Sequence, residues 1–129
     1  MPKLRQETYG SGDMSWLDSS HGIRNARTEI LDISAFTKST HYPDGYIRSG
    51  TPVALVGGLL VPYDVTAGTT TGAGVLEGHI LTDQVVTDDK DFGVPLLDHG
   101  RVKVAKIAAF YSNFAKPITA KLASLIKYV

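Results

Sequence analysis

Apolar residues along the chain fall into three textures. From Thr28 to Ile107 they come in short runs broken by glycine, which is the punctuation of β-structure. Thr51-Pro52-Val53-Ala54-Leu55-Val56, then Gly57-Gly58, then Leu59-Leu60-Val61-Pro62-Tyr63 predicts two strands joined by a two-residue turn, where glycine supplies positive φ. Pro52 and Pro62 lack a backbone donor and so belong at strand ends or on an edge. Residues 67–74 are a Thr/Gly/Ala loop, and Val75 to Leu81 follows as a strand that Gly78 kinks or bulges. The acidic stretch Asp88-Asp89-Lys90-Asp91 reads as a solvated loop. Val94 to Leu97, the turn Asp98-His99-Gly100 and Arg101 to Val104 then predict a second hairpin.

The two flanks differ from this core. Residues 1–27 are rich in Ser, Gly, Asp and Asn with no sustained period, and predict an extended arm. Leu4, Tyr9, Met14, Trp16, Leu17 and Ile23 give that arm apolar side chains to lay against a partner or fold back on its own domain. At the other end Pro117 suits a first helical turn, and Ile118, Leu122, Leu125, Ile126 and Val129 form an apolar stripe at helical spacing. The expectation is therefore a mainly β (α+β) domain: an arm over 1–27, a β-rich core over 28–110 and a C-terminal amphipathic helical tail over 111–129.

Composition narrows the class. The chain has 129 residues, enough for one core, with 43% hydrophobic residues and a formal net charge of zero. A global field that draws in nucleic acid is absent. Charge is nevertheless uneven: after Asp98 there are six Lys/Arg and no acid, whereas residues 75–98 carry six acids and one lysine. Without cysteine, disulfides and thiol chemistry are excluded. The polar N-terminus lacks the apolar run of a signal peptide, and no stretch approaches the ~20 apolar residues of a membrane span. The expectation is a chain made soluble in the cytoplasm, with no membrane and no direct nucleic-acid partner.

Motifs for chemistry are sparse. The Gly-x-Ser-x-Gly elbow, the P-loop and the dinucleotide fingerprint do not occur; the glycines from Gly68 to Gly74 lack the phosphate-binding lysine. His21, His41, His79 and His99 form no metal-ligand spacing. Asp98-His99 offers a carboxylate beside an imidazole, and with Asp64 would make a small hydrolase site, but Asp and Gly flanking a histidine are also what a tight turn demands. No cofactor is expected.

One run carries more. Pro43-Asp44-Gly45-Tyr46-Ile47-Arg48-Ser49-Gly50-Thr51-Pro52-Val53, then Val61-Pro62-Tyr63-Asp64, Gly74-Val75-Leu76, and Leu96-Leu97-Asp98-His99-Gly100-Arg101-Val102-Lys103-Val104-Ala105 resembles the core of lambda-type head decoration proteins of tailed bacteriophages, over about half the chain. The resemblance implies a small glycine-rich β-tulip or barrel-like fold without catalysis. It implies a homotrimer on the outside of the expanded head at three-fold positions, stabilising the virion capsid. The family's arm adds a strand to the major capsid protein, so Gln6, Glu7, Thr8 and Tyr9, with Trp16, become the capsid-binding candidates. Pro52, Val53, Leu55, Pro62 and Tyr63 become the candidates for the oligomer interface. A fibre or tail component built on a similar module is the alternative.

Overall fold

The computed structural model describes residues 14–18, 26–64, 72–86, 90–111, 114–115 and 125–129. Five strands close into a small barrel: β1 (Arg27–Leu31), β3 (Pro52–Val56), β4 (Leu59–Pro62), β5 (Gly78–Ile80) and β7 (Phe92–Leu97), in the order β1-β4-β3-β5-β7. The short pair β2 (Tyr46–Ile47) and β6 (Gln84–Val85) lies outside the ring, as does the parallel pair β8 (His99–Val102) and β9 (Leu125–Tyr128). Two short helices, α1 (Lys38–His41) and α2 (Val104–Ala108), and two 3-10 turns, Ile33–Ala35 and Gly72–Gly74, complete the described elements. The chain is mainly β, as its apolar texture predicts.

The first hairpin forms as expected. Gly57 and Gly58 have φ of 61° and 83°, the two left-handed residues of the turn, and Val56 pairs with Leu59. Closure comes from β1, which runs antiparallel to β7 over its whole length and parallel to β4 at Leu31 and Leu60. The closing seam between β1 and β4 is short, with the Asp32 N–H donating to the Leu60 carbonyl beside the Leu31 and Leu60 pair.

Period-2 alternation then sorts side chains between two cores. Leu31, Ile47, Val53, Leu60, Ile80, Val94 and Leu96 belong to the first, roofed by Ile33 and Phe36. The neighbouring positions His79 and Leu97, paired across β5 and β7, turn the other way. Leu97 joins Trp16, Tyr63, Leu76, Val102, Ile107, Phe114, Ile126 and Tyr128 in the second core. Only the first core is made wholly from the middle of the chain. The second needs both ends.

Two expectations are corrected. Residues 94–104 do not make a hairpin: β7 ends at Leu97, the Asp98 carboxylate is taken by Arg27, and β8 leaves to pair in parallel with β9. The tail is not helical at its end. In β9, Ile126 and Tyr128 are buried while Lys127 between them is exposed, a period of 2 that five residues cannot distinguish from part of a helical stripe until a partner strand is present. Pro117 to Ser124, like Asp88 and Asp89, lie outside the described residues.

Gly78 opens β5 by close approach instead of a bulge: a Cβ there would run into the Leu97 carbonyl oxygen and lie 3.0 Å from Leu96. Gly78→Ala is expected to destabilise the protein by about 2 kcal/mol through overpacking, read as a lower urea midpoint with unchanged m-value.

Candidate functional site

The predicted site residues do not converge. Gln6, Glu7, Thr8 and Tyr9 lie outside the described residues. Trp16, expected to touch a capsid, is 1% exposed and belongs to the chain's own second core. Its indole Nε1–H donates to Ser49 Oγ at 3.0 Å, and Ser49 Oγ–H donates to the Leu81 carbonyl at 2.6 Å. The adjoining backbone is fixed too: Lys103 N–H donates to the Trp16 carbonyl, Asp18 N–H to that of Arg101, and Leu17 bridges Val102. The N-terminal chain is thus fastened to β8 at this point, which corrects the reading of Trp16 as a capsid contact.

The interface candidates divide in the same way. Pro52 and Val53 are buried, Val53 at 0%, and Tyr63 is buried in the second core, with its carbonyl accepting the Tyr111 hydroxyl. A side chain with no exposed surface has none left to bury against another subunit, so these three are corrected to core residues. Leu55 is exposed and Pro62 is half-buried. The surface they belong to is wider than the sequence indicates. Leu31 and Leu60 point into the barrel in register, so Ile30 and Leu59 beside them point out, and Val56 opposes Leu59 on the same outer face. Ile30 is 45% exposed and Val56 39%. Ile30, Val56 and Leu59, with Leu55 at the barrel rim, form an apolar strip next to the Gly57-Gly58 turn. Alternation alone does not find it, because a barrel strand with apolar residues on both faces hides which one is wet.

The electrostatics lie elsewhere. Arg27 meets three carboxylates, Glu29 at 3.0 Å, Glu77 at 2.7 Å and Asp98, at the end of the barrel where β1, β5 and β7 come together. This arrangement is structural chemistry. It staples β1 to the exit of β7, and it commits the Asp98 carboxylate that a hydrolase built on Asp98 and His99 would need for its imidazole. Among the described residues no group of three or more His, Asp or Glu is arranged to hold a metal ion.

The residue that sequence reasoning missed is His79. Its ring is fully buried between the cores. Nδ1 lies 2.8 Å from the Gly50 carbonyl oxygen and Nε2 2.8 Å from the Tyr128 hydroxyl. A carbonyl only accepts, so Nδ1 carries the hydrogen, and Nε2 must accept from Tyr128. The rings of Trp16, Phe114 and Tyr128 surround the imidazole with centroids 5.5, 5.9 and 5.7 Å away. Gly50 fits beneath Trp16 because it has no side chain: a Cβ would sit 2.8 Å from the indole, and its φ of +95° suits glycine. A histidine between Gly78 and Ile80 in an apolar strand was the available signal. Its partners lie 29 and 49 residues away.

Burial disfavours the imidazolium and pushes the His79 pKa down from 6.5 to about 4, against the smaller opposing pull of the Gly50 carbonyl. Desolvation lowers the His41 pKa in the same direction. Between pH 6.5 and 4 the unfolded chain binds a proton at His79 that the folded chain refuses. The stabilisation is therefore complete above pH 6.5 and is lost as pH falls towards 4, by about 3 kcal/mol in all. Urea midpoints measured from pH 7.5 to 4 should fall accordingly, and His79→Asn, less stable at neutral pH, should flatten that slope. Against this geometry, no protein-family model, no curated protein and no solved structure matches the chain.

Proposed function

We propose that this protein is a bacteriophage head decoration protein, a structural module that binds the outside of the expanded capsid as a homotrimer at three-fold positions and stabilises it against the pressure of packaged DNA. One observation carries the reading. The segment from Gly50 to Tyr63, central to the resemblance, folds as the hairpin of a closed barrel and leaves an apolar strip beside its turn. A strip of Ile30, Val56 and Leu59 on an otherwise satisfied barrel favours association over catalysis as its use. In a trimer each copy would bury this strip against the next about the three-fold axis.

The capsid contact in this reading is made by Gln6 to Tyr9, whose backbone would pair with an edge of the major capsid protein by β-augmentation. Trp16 strengthens the proposal in an indirect way. Because it is locked into the second core, the seven peptide steps from Tyr9 to Trp16 would allow a tether of at most about 25 Å from a fixed point. Three such tethers on one trimer turn weak strand pairing into avid binding when their spacing matches the lattice. The module would work in the virion, on the capsid exterior, after synthesis in the host cytoplasm.

Deleting residues 2–11, which spares the Trp16 anchor, is expected to leave the fold and the trimer intact and to abolish co-sedimentation with undecorated expanded heads. Undiminished binding would refute the arm mechanism. A bound stoichiometry far below that of the capsid protein would favour a fibre or tail component instead. Val56→Glu places a charge in the apolar strip and is expected to yield monomers in sedimentation velocity at micromolar concentration. A Val56→Glu trimer as stable as the parent would remove the strip from the interface.

A further inference from the structure

A second feature of the surface lies away from the apolar strip. Between the N-terminal anchor, the turn that follows β2 and helix α2 runs a cleft of about 200 Å³, lined by Ser15, Trp16, Arg48, Lys106, Ala109 and Phe110. Its walls come from three separate elements, each tied down. Trp16 is bonded to Ser49, the Arg48 carbonyl accepts from both the backbone N–H and the hydroxyl of Thr51, and Phe110 N–H closes the end of α2 on Ile107. Among the described residues no acidic side chain lines it.

Arg48 is the centre of this arrangement. Its guanidinium carbon sits 4.6 Å from the centroid of the Phe110 ring. A guanidinium held over an aromatic ring by cation–π attraction still has N–H donors to offer, and their planar fork matches a carboxylate by two parallel bonds. Among the described residues those donors meet no acceptor. Asp44 lines the adjoining cleft of about 110 Å³ on the other side of Arg48 without forming an ion pair with it. Lys106, from α2, lines the same cleft as Phe110, so a second cation overlooks the same opening. A stacked arginine, a nearby lysine and an apolar floor make a receptor for one anionic group on an otherwise apolar stem.

We propose that the cleft between Arg48, Lys106 and Phe110 binds an acidic side chain, Glu or Asp, presented by a segment of a partner protein. The carboxylate bonds to Arg48 with Lys106 beside it, and the neighbouring apolar residue of the segment lies against Phe110 and Ala109. A polynucleotide fits less well: it needs a stripe of cations along a backbone, whereas this cleft offers two on a chain of zero net charge. The assignment depends on the chemistry of the cleft and stands apart from the capsid reading.

The test is a titration of the full chain, followed by the backbone amides of Arg48, Ala109 and Phe110 and the indole N–H of Trp16 in two-dimensional NMR. The probes are a blocked tetrapeptide of alternating leucine and glutamate, the same peptide with glutamine for glutamate, and inorganic phosphate. The glutamate peptide should give saturable shifts at these four groups, weakened about tenfold by Arg48→Gln and also by Arg48→Lys, which keeps the charge and loses the fork. Lys106→Gln should weaken binding less, and Lys38→Gln, which removes a remote charge, should leave it unchanged. All three side chains are exposed, and superposable spectra of the free variants verify their folds. Equal binding of the glutamine peptide, equal loss in Lys38→Gln, phosphate binding as tightly as the peptide, or no saturable shift at these groups would each overturn the proposal.

Discussion

The buried imidazole of His79 is the point on which the rest of the structure depends. Its two nitrogens join three parts of the chain: β5, which carries the ring; Gly50 ahead of β3, which accepts from Nδ1; and Tyr128 in β9, which donates to Nε2. A polar ring removed from water without partners costs several kcal/mol, so the position is tolerable only when both bonds are made. That requirement couples the barrel to the C-terminal strand. It also fixes the neutral tautomer, since neither partner offers a negative charge that would favour the imidazolium.

Around His79 the packing is set by ring against ring. Trp16 covers Gly50 and leans on the imidazole, Phe114 meets His79 and Tyr63 edge-on at 5.9 and 6.1 Å, and Tyr128 closes the group. Burial raises the pKa of Tyr111 and Tyr128 above the ordinary tyrosine value, which favours both hydroxyls as protonated donors. The second core is consequently an aromatic and hydrogen-bonded assembly, while the buried residues of the first core are aliphatic apart from Phe36. The aliphatic core defines the module. The aromatic core fastens its two ends.

This division also sets where the two flanking segments lie. An N-terminal chain pinned at Trp16 and a C-terminal strand pinned at Tyr128 keep both ends close to β8, because Leu17 and β9 both pair with it. The ring closes between β1 and β4 through the single pair Leu31 and Leu60, and its outer face carries the apolar strip of Ile30, Val56 and Leu59. The charge asymmetry along the chain is partly spent internally: Arg27 draws together Glu29, Glu77 and Asp98, and Arg101 pairs with Asp18 at 3.0 Å.

Local chemistry made several features legible. The Gly57-Gly58 hairpin follows from glycine's access to positive φ, and the β class follows from short apolar runs between turns. The lack of cysteine fixes that stability must come from packing. What the sequence by itself determined, then, is the class, the first hairpin and the inventory of groups available. The tertiary structure alone decided that Trp16 turns inward, that Pro52, Val53 and Tyr63 are core, that Asp98 answers Arg27 instead of making a turn, and that Ile126 and Tyr128 alternate in a strand beside β8. The physical reason is common to all of them. Each depends on a partner tens of residues away, and a side chain's preference for burial says how strongly it will be covered but not by which part of the chain.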